Sequence, residues 1–86
     1  PNTPVKLNLK KPLKGEAFLA FGKNSIDHKP KLNLSSDGDL KEAAYNLFNF
    51  LKNLDKLNKI NISVSPIPKI GIGKAINERL KRASNK

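Results

Sequence analysis

The sequence predicts a small α/β sandwich in which two helices pack on a three- or four-stranded, mainly parallel sheet. Three observations lead to this fold class. Short apolar segments show strand periodicity, two longer segments repeat apolar residues at helical spacing, and the order is strand, strand, strand, helix, strand, helix. The chain has 86 residues, which is enough for one modest core and therefore for one domain.

The strands are predicted from alternation and from short apolar runs. VKLNL at 5–9 alternates apolar and polar residues, and AFLAF at 17–21 is a continuous run typical of a strand covered on both faces. A third strand is predicted for LNLS at 32–35. In INISV at 60–64 the alternation places Ile60 on the buried face with the two later apolar residues.

The first helix is predicted from Leu40, and its apolar stripe falls at positions 40, 43, 44, 47, 48, 51 and 54. Asp37 or Asp39 is expected to cap its free amide groups. Tyr45 and Phe50 lie off the stripe, so they could meet a partner or pack under the polar loop at 23–31, and we favour the loop.

A second helix is predicted from apolar positions 72, 75, 76, 80 and 83. The strand, helix and strand of the second half predict a right-handed parallel crossover, which makes the expected sheet Rossmann-like.

The net charge of +10 allows two interpretations. It could mark a surface for nucleic acid or another polyanion. It could also reflect compositional bias, because 15 of the 17 basic residues are lysine and asparagine is abundant. The scarcity of arginine favours bias, since arginine is the residue that binds phosphate in a bidentate manner.

Few residues could support catalysis or metal binding. The single histidine, His28, lies in a polar loop beside Asp27, and a solvated loop explains the pair better than a catalytic dyad. One histidine, no cysteine and seven scattered carboxylates do not make a metal set. Ser35 and Ser36 precede a helix, so capping is the first explanation for these two serines.

The absence of cysteine fits a reducing compartment, and we therefore expect a cytoplasmic location. No apolar run in the sequence is long enough for a membrane span.

The best remaining candidate is the stretch KIGIGKAINERL at 69–80. Gly71, Gly73 and Lys74 could form a phosphate-binding turn, but the spacing matches neither a Walker loop nor a dinucleotide fingerprint. A strand-to-helix turn with at most weak anion affinity explains these residues better.

Three longer segments together resemble a known family. These segments are GEAFLAFG, LNLSSDGDLKEAAYNLFNFLKNLD and INISVSPIPKIGIGKAINERLKRAS. They resemble the C-terminal accessory domain of the two-domain L-threonylcarbamoyladenylate synthases, which are YrdC-like tRNA-modification enzymes. The matching signature positions include Asp39, Gly71, Gly73 and Asn77, which we interpret as turn or capping residues. Glu78 departs from the aspartate usual in the family. Lys69, Ile70 and Lys74 replace positions that are often acidic or variable there, which leaves the loop more basic than is typical.

The resemblance implies an activity for a parent enzyme. Such enzymes make threonylcarbamoyl-adenylate and pyrophosphate from ATP, bicarbonate and L-threonine, and partner proteins transfer the threonylcarbamoyl group to adenosine 37 of tRNA. ATP and magnesium would bind the YrdC-like catalytic domain of the same chain, so this piece is expected to be non-catalytic and to hold no cofactor. Residues 1–4 would end the interdomain linker, 5–84 would form the accessory domain, and 85–86 would be a frayed tail.

Two functions from different classes follow. The domain could dock on the catalytic domain and help the linker to close the active site. Alternatively it could be a basic module that binds RNA or a nucleotide, with tRNA or tRNA-modification proteins as partners. The candidate contacts for that role are Lys74, Arg79, Lys81 and Arg82, of which Arg79 and Arg82 share a helical face.

Overall fold

A computed structural model describes residues 3–9, 11–23 and 25–85. These residues form six elements in the predicted order. The strands are β1 (Val5–Lys6), β2 (Ala17–Ala20), β3 (Lys31–Asn33) and β4 (Ile62–Val64), and the helices are α1 (Leu40–Asp55) and α2 (Ile72–Ser84).

The four strands form one parallel sheet in the order β1-β4-β2-β3. Ile62 lies opposite Val5 in β1 and Ala17 in β2, so β4 occupies the interior of the sheet. The connection through α1 carries the chain from the β3 edge past β2 to β4. The predicted α/β class, with a three- or four-stranded, mainly parallel sheet and two helices, is therefore confirmed, and the sheet has four strands that are all parallel.

One apolar core lies between the helices and one face of the sheet. It contains the alternate residues of the strands that the pleat directs to this face, including Ala17, Leu19, Ile62 and Val64, all of which are almost fully buried. Both helices contribute to the same core, through Ala43, Leu47 and Leu54 of α1 and through Ile76 and Leu80 of α2.

On the second face of the sheet, Phe18 is covered by the loop segment that contains His28. Phe18 points to this face and is only 2% exposed. The His28 ring meets it edge-on with the ring centroids 6.2 Å apart, and His28 Nε2 lies 2.6 Å from the carbonyl oxygen of Glu16. The prediction that the 17–21 run is covered on both faces is confirmed for β2, and the loop once expected to be merely solvated provides part of that cover.

The strands are shorter than predicted. β1 stops at Lys6 because Asn8 adopts a φ of 58°, although the amide of Leu9 still donates to Val64 O at 3.0 Å. Ile60 was expected to face the core, but it is 70% exposed and precedes β4.

The helical stripe of α1 is also rotated relative to the prediction. Phe48 was assigned to the buried stripe but is 65% exposed, whereas Phe50, assigned outside it, is half-buried against the core. Tyr45 is 83% exposed, so the prediction that it packs under the 23–31 loop is wrong.

Candidate functional site

The turn at the start of α2 contains Gly71 and Gly73, and two of its backbone amides donate to carbonyl groups of the same turn. α2 begins at Ile72 with Gly71 as its N-cap, and no side chain caps it. The amides of Gly73 and Lys74 donate to Ile70 O at 2.8 Å and Gly71 O at 3.1 Å. These two amides are therefore not available to bind a phosphate.

Each glycine of this turn has its own structural reason. Gly71 has φ 51° and ψ −127°, a backbone conformation that L-residues with side chains rarely adopt. A Cβ on Gly73 would lie 1.9 Å from Pro68 O, so only glycine allows α2 to pass this close to the Pro66–Pro68 segment.

Asn77 and Asp39 also have structural roles. Asn77 Nδ2 donates to Ile67 O at 3.0 Å and to Gly73 O at 2.7 Å, which ties the segment before α2 to its first turn. Asp39 accepts from the amides of Lys41 and Glu42 and is the N-cap of α1. Of the two aspartates considered from the sequence, the structure selects Asp39.

The four cationic candidates separate onto two flanks of α2. Lys74 and Lys81 line an open groove of about 480 Å³, together with Lys69, Glu78 and the residues that follow β1. Arg79 lines the other flank with Arg82, toward α1. The helix therefore presents a lysine groove and an arginine groove, and it does not present one continuous cationic site.

The arginine groove runs between α1 and α2. It consists of two hollows of about 200 Å³ and 280 Å³ that share Leu47 and Arg79. Phe48 lines the first hollow, and Tyr45 lies one helical turn before Phe48 on α1. Arg79 and Arg82 were predicted from the sequence as candidate contacts, and contact of Tyr45 with a partner was one of two alternatives. Phe48 was predicted to lie on the buried stripe.

A buried carboxylate that was not predicted from the sequence lies at the opposite end of the sheet. Glu16 is 4% exposed, and its Oε1 accepts from Ser63 Oγ at 2.6 Å and from the amide of Leu13 at 2.7 Å. Lys6 Nζ lies 3.9 Å from the other carboxylate oxygen. The hydrogen bond from Ser63, followed by that from Leu13, holds the pKa of Glu16 below its ordinary value against the opposing effect of burial. Glu16 directly precedes the apolar strand β2, and this position in the sequence could have indicated that its carboxylate is buried.

The remaining candidates also have structural partners. His28 packs on Phe18, and Ser35 Oγ accepts from the amide of Asp39 at 2.9 Å and donates to Glu42 Oε1 at 2.5 Å.

Among the described residues no group of three His, Cys, Asp or Glu side chains could hold a metal ion. Within the same ranges, neither helix has the length and apolar character needed to span a membrane.

Comparison with known proteins gives one match. The family described as threonylcarbamoyl-AMP synthase, C-terminal domain, matches residues 2–85. No curated protein and no solved structure matches the chain. Since the match covers nearly the whole sequence, this chain belongs to the family of threonylcarbamoyl-AMP synthase C-terminal domains.

Proposed function

We propose that this chain is the non-catalytic C-terminal domain of a threonylcarbamoyl-AMP synthase, and that it docks on the catalytic domain and helps the linker to close the active site. The parent enzyme would use ATP, bicarbonate and L-threonine to make threonylcarbamoyl-adenylate for the modification of tRNA adenosine 37. The family match over residues 2–85 is the observation that carries the proposal.

The non-catalytic role is supported by the contacts of the chemically capable side chains. His28, Ser35 and Glu16 each hold a loop, a helix start or a strand edge in place, as their hydrogen bonds show. A general base or nucleophile must instead reach a substrate from a cleft. ATP and magnesium are accordingly proposed for the companion catalytic domain, and no cofactor is proposed for this one.

The docking role is supported by the way in which the chain enters the fold. Thr3 is 6% exposed, its amide donates to Asp55 Oδ1 at 2.7 Å, and its hydroxyl donates to Asp55 O at 3.4 Å. The next residue, Pro4, accepts from the amide of Ile62 at 2.8 Å. Hydrogen bonds thus hold Thr3 and Pro4, which precede β1, to the end of α1 and to β4. A linker that precedes these residues would therefore leave the domain in a defined direction.

A clamped linker has a catalytic consequence. A short connection raises the effective concentration of one domain near the other, so a weak interface suffices for docking. Covering the active site would exclude water from the labile carbamate of the intermediate. Asp55 is then a positioning residue that acts through the linker and does not touch the substrate.

The test uses the full-length enzyme. Deleting this domain is expected to lower the yield of adenylate and to increase its loss to hydrolysis, measured as pyrophosphate released per adenylate retained. Asp55→Ala should reproduce part of this uncoupling, and Asp55→Asn, which keeps an acceptor oxygen for Thr3, should restore it. Asp27→Ala, at an exposed loop position, is the matched control. Unchanged synthesis and retention in the deletion enzyme would rule out the docking role.

A further inference from the structure

The surface between α1 and α2 gathers an unusual set of side chains. The chain has only two arginines, Arg79 and Arg82, and both line this groove. Among its five phenylalanine and tyrosine residues, Tyr45 and Phe48 are the most exposed, at 83% and 65%, and they lie on the facing helix. We call these four residues the aromatic–arginine face.

The charge of this face is uniformly positive. No carboxylate lines either hollow of the groove among the residues that the structure describes. The nearest acidic residues in sequence point elsewhere, because Glu42 accepts from Ser35 and Glu78 lines the lysine groove on the other flank of α2. An anionic partner would therefore meet two guanidinium groups without repulsion from a neighbouring carboxylate.

The floor of the groove is apolar. Leu47 and Leu51 of α1 face Ala75 and Ile76 of α2 across it, and Arg79 lies beside both hollows. Phe48 and the two arginines line this groove, and Tyr45 is exposed one helical turn before Phe48. This combination matches a ligand that alternates flat hydrophobic groups with phosphates. Single-stranded nucleic acid has this chemistry, because its unstacked bases can lie on aromatic rings while arginine binds the backbone.

We propose that the aromatic–arginine face binds a single-stranded segment of RNA, with bases stacked on Tyr45 and Phe48 and phosphates bound by Arg79 and Arg82. The choice of RNA as the nucleic acid rests on the proposed function, in which the enzyme serves tRNA. A second copy of this chain is disfavoured as the occupant, since two molecules of net charge +10 repel each other. The face shares no residue with the Thr3–Asp55 pair, so binding here goes beyond the docking role.

The two flanks of α2 provide a charge-matched experiment. Arg79→Ala/Arg82→Ala and Lys74→Ala/Lys81→Ala each remove two exposed positive charges from the same helix. Binding of the 86-residue chain to a short fluorescent single-stranded RNA is measured by anisotropy over a series of salt concentrations. The arginine pair is expected to weaken binding at least several-fold more than the lysine pair and to reduce the salt dependence more strongly.

The aromatic contribution is tested separately. Tyr45→Ala/Phe48→Ala leaves the charge unchanged and is expected to weaken binding by about tenfold or more, given the usual worth of base–aromatic stacking. A duplex of the same length should bind more weakly than the single strand, because its bases are not free to stack. Arg79→Lys/Arg82→Lys keeps the charge and tests bidentate phosphate binding even if the alanine pair destabilises the fold.

Several results would overturn the proposal. Equal losses for the arginine and lysine pairs would show that only the overall charge attracts RNA. Full binding by the aromatic variant, equal affinity for the duplex, or no binding at physiological salt would each exclude a stacking site and would leave the face to a protein partner. Because the assay uses this chain without the catalytic domain, its failure is distinct from failure of the docking role.

Discussion

At the residue scale, Glu16 shows how a strongly cationic chain keeps one carboxylate buried. Its side chain receives hydrogen bonds from the Ser63 hydroxyl and the Leu13 amide, and Lys6 lies at the edge of the same site. The bonds from Ser63 and Leu13 outweigh burial and lower the pKa of Glu16. Ionised Glu16 thereby joins the start of β2 to β4 and to the turn before it.

We expect Glu16→Gln to destabilise the chain in a pH-dependent manner. A lowered folded-state pKa means that ionised Glu16 stabilises the fold above its ordinary value of 4.5 and loses this effect as the pH falls through the folded pKa. The substitution should therefore lower the free energy of unfolding by roughly 1–3 kcal/mol at neutral pH. The difference from the unmodified chain should shrink in urea unfolding below pH 4.5.

Asp27→Asn serves as the exposed control for Glu16→Gln and should have little effect at any pH. A destabilisation by Glu16→Gln that stays constant from neutral to acid pH would show that packing, and not the charge, explains the effect.

At the scale of elements, the positions of the helices and strands were predicted more accurately than which of their side chains are buried. The stripe of α1 spans seven apolar positions, which is wider than the strip that α2 and the sheet cover. Packing against α2 decides which edge of the stripe is buried, so Phe50 contacts the core while Phe48 lies in solvent. Similarly, VKLNL has strand periodicity, but the positive φ of Asn8 ends β1 after Lys6.

The start of α1 gives a prediction at this scale. Asp39 Oδ1 accepts from the amides of Lys41 at 2.9 Å and Glu42 at 3.4 Å, whereas Asp37 lies two residues earlier in the exposed turn. Asp39→Ala is expected to lower the free energy of unfolding by about 1 kcal/mol, because these amides lose their acceptor. Asp37→Ala should change it by less than about 0.5 kcal/mol. Equal effects of the two variants in thermal or urea unfolding would refute this assignment of the cap.

At the scale of the whole molecule, the two faces of the sheet are covered differently, one by helices and the other by a loop at Phe18. The helices bury one face through a continuous apolar core, and the 21–30 loop covers the other face at Phe18. His28 lies 2.6 Å from Glu16 O, and Lys31 Nζ donates to Ser25 Oγ and Ile26 O, so hydrogen bonds hold the part of the loop that contacts Phe18.

Two phenylalanines test this arrangement. Phe18→Ala is expected to lower the free energy of unfolding by about 3–5 kcal/mol, because it leaves a cavity between the sheet and the loop. Phe48→Ala removes the same side chain from the exposed groove and should change stability by less than about 0.5 kcal/mol. If urea unfolding gave similar losses for both, the loop would not be acting as a packed layer.

The sequence by itself determined the α/β class, the order of the six elements and the family, because periodicity, turn residues and signature spacing are local properties of the chain. It also predicted a structural role for the glycine turn, in which Gly71 has a positive φ and a Cβ on Gly73 would meet Pro68 O. Only the tertiary structure decided the burial of Glu16, the cover over Phe18 and the division of Lys74, Arg79, Lys81 and Arg82 between two grooves. These features arise where separate segments meet, and the rotation of α1 and α2 about their axes is fixed by mutual packing that no single segment encodes.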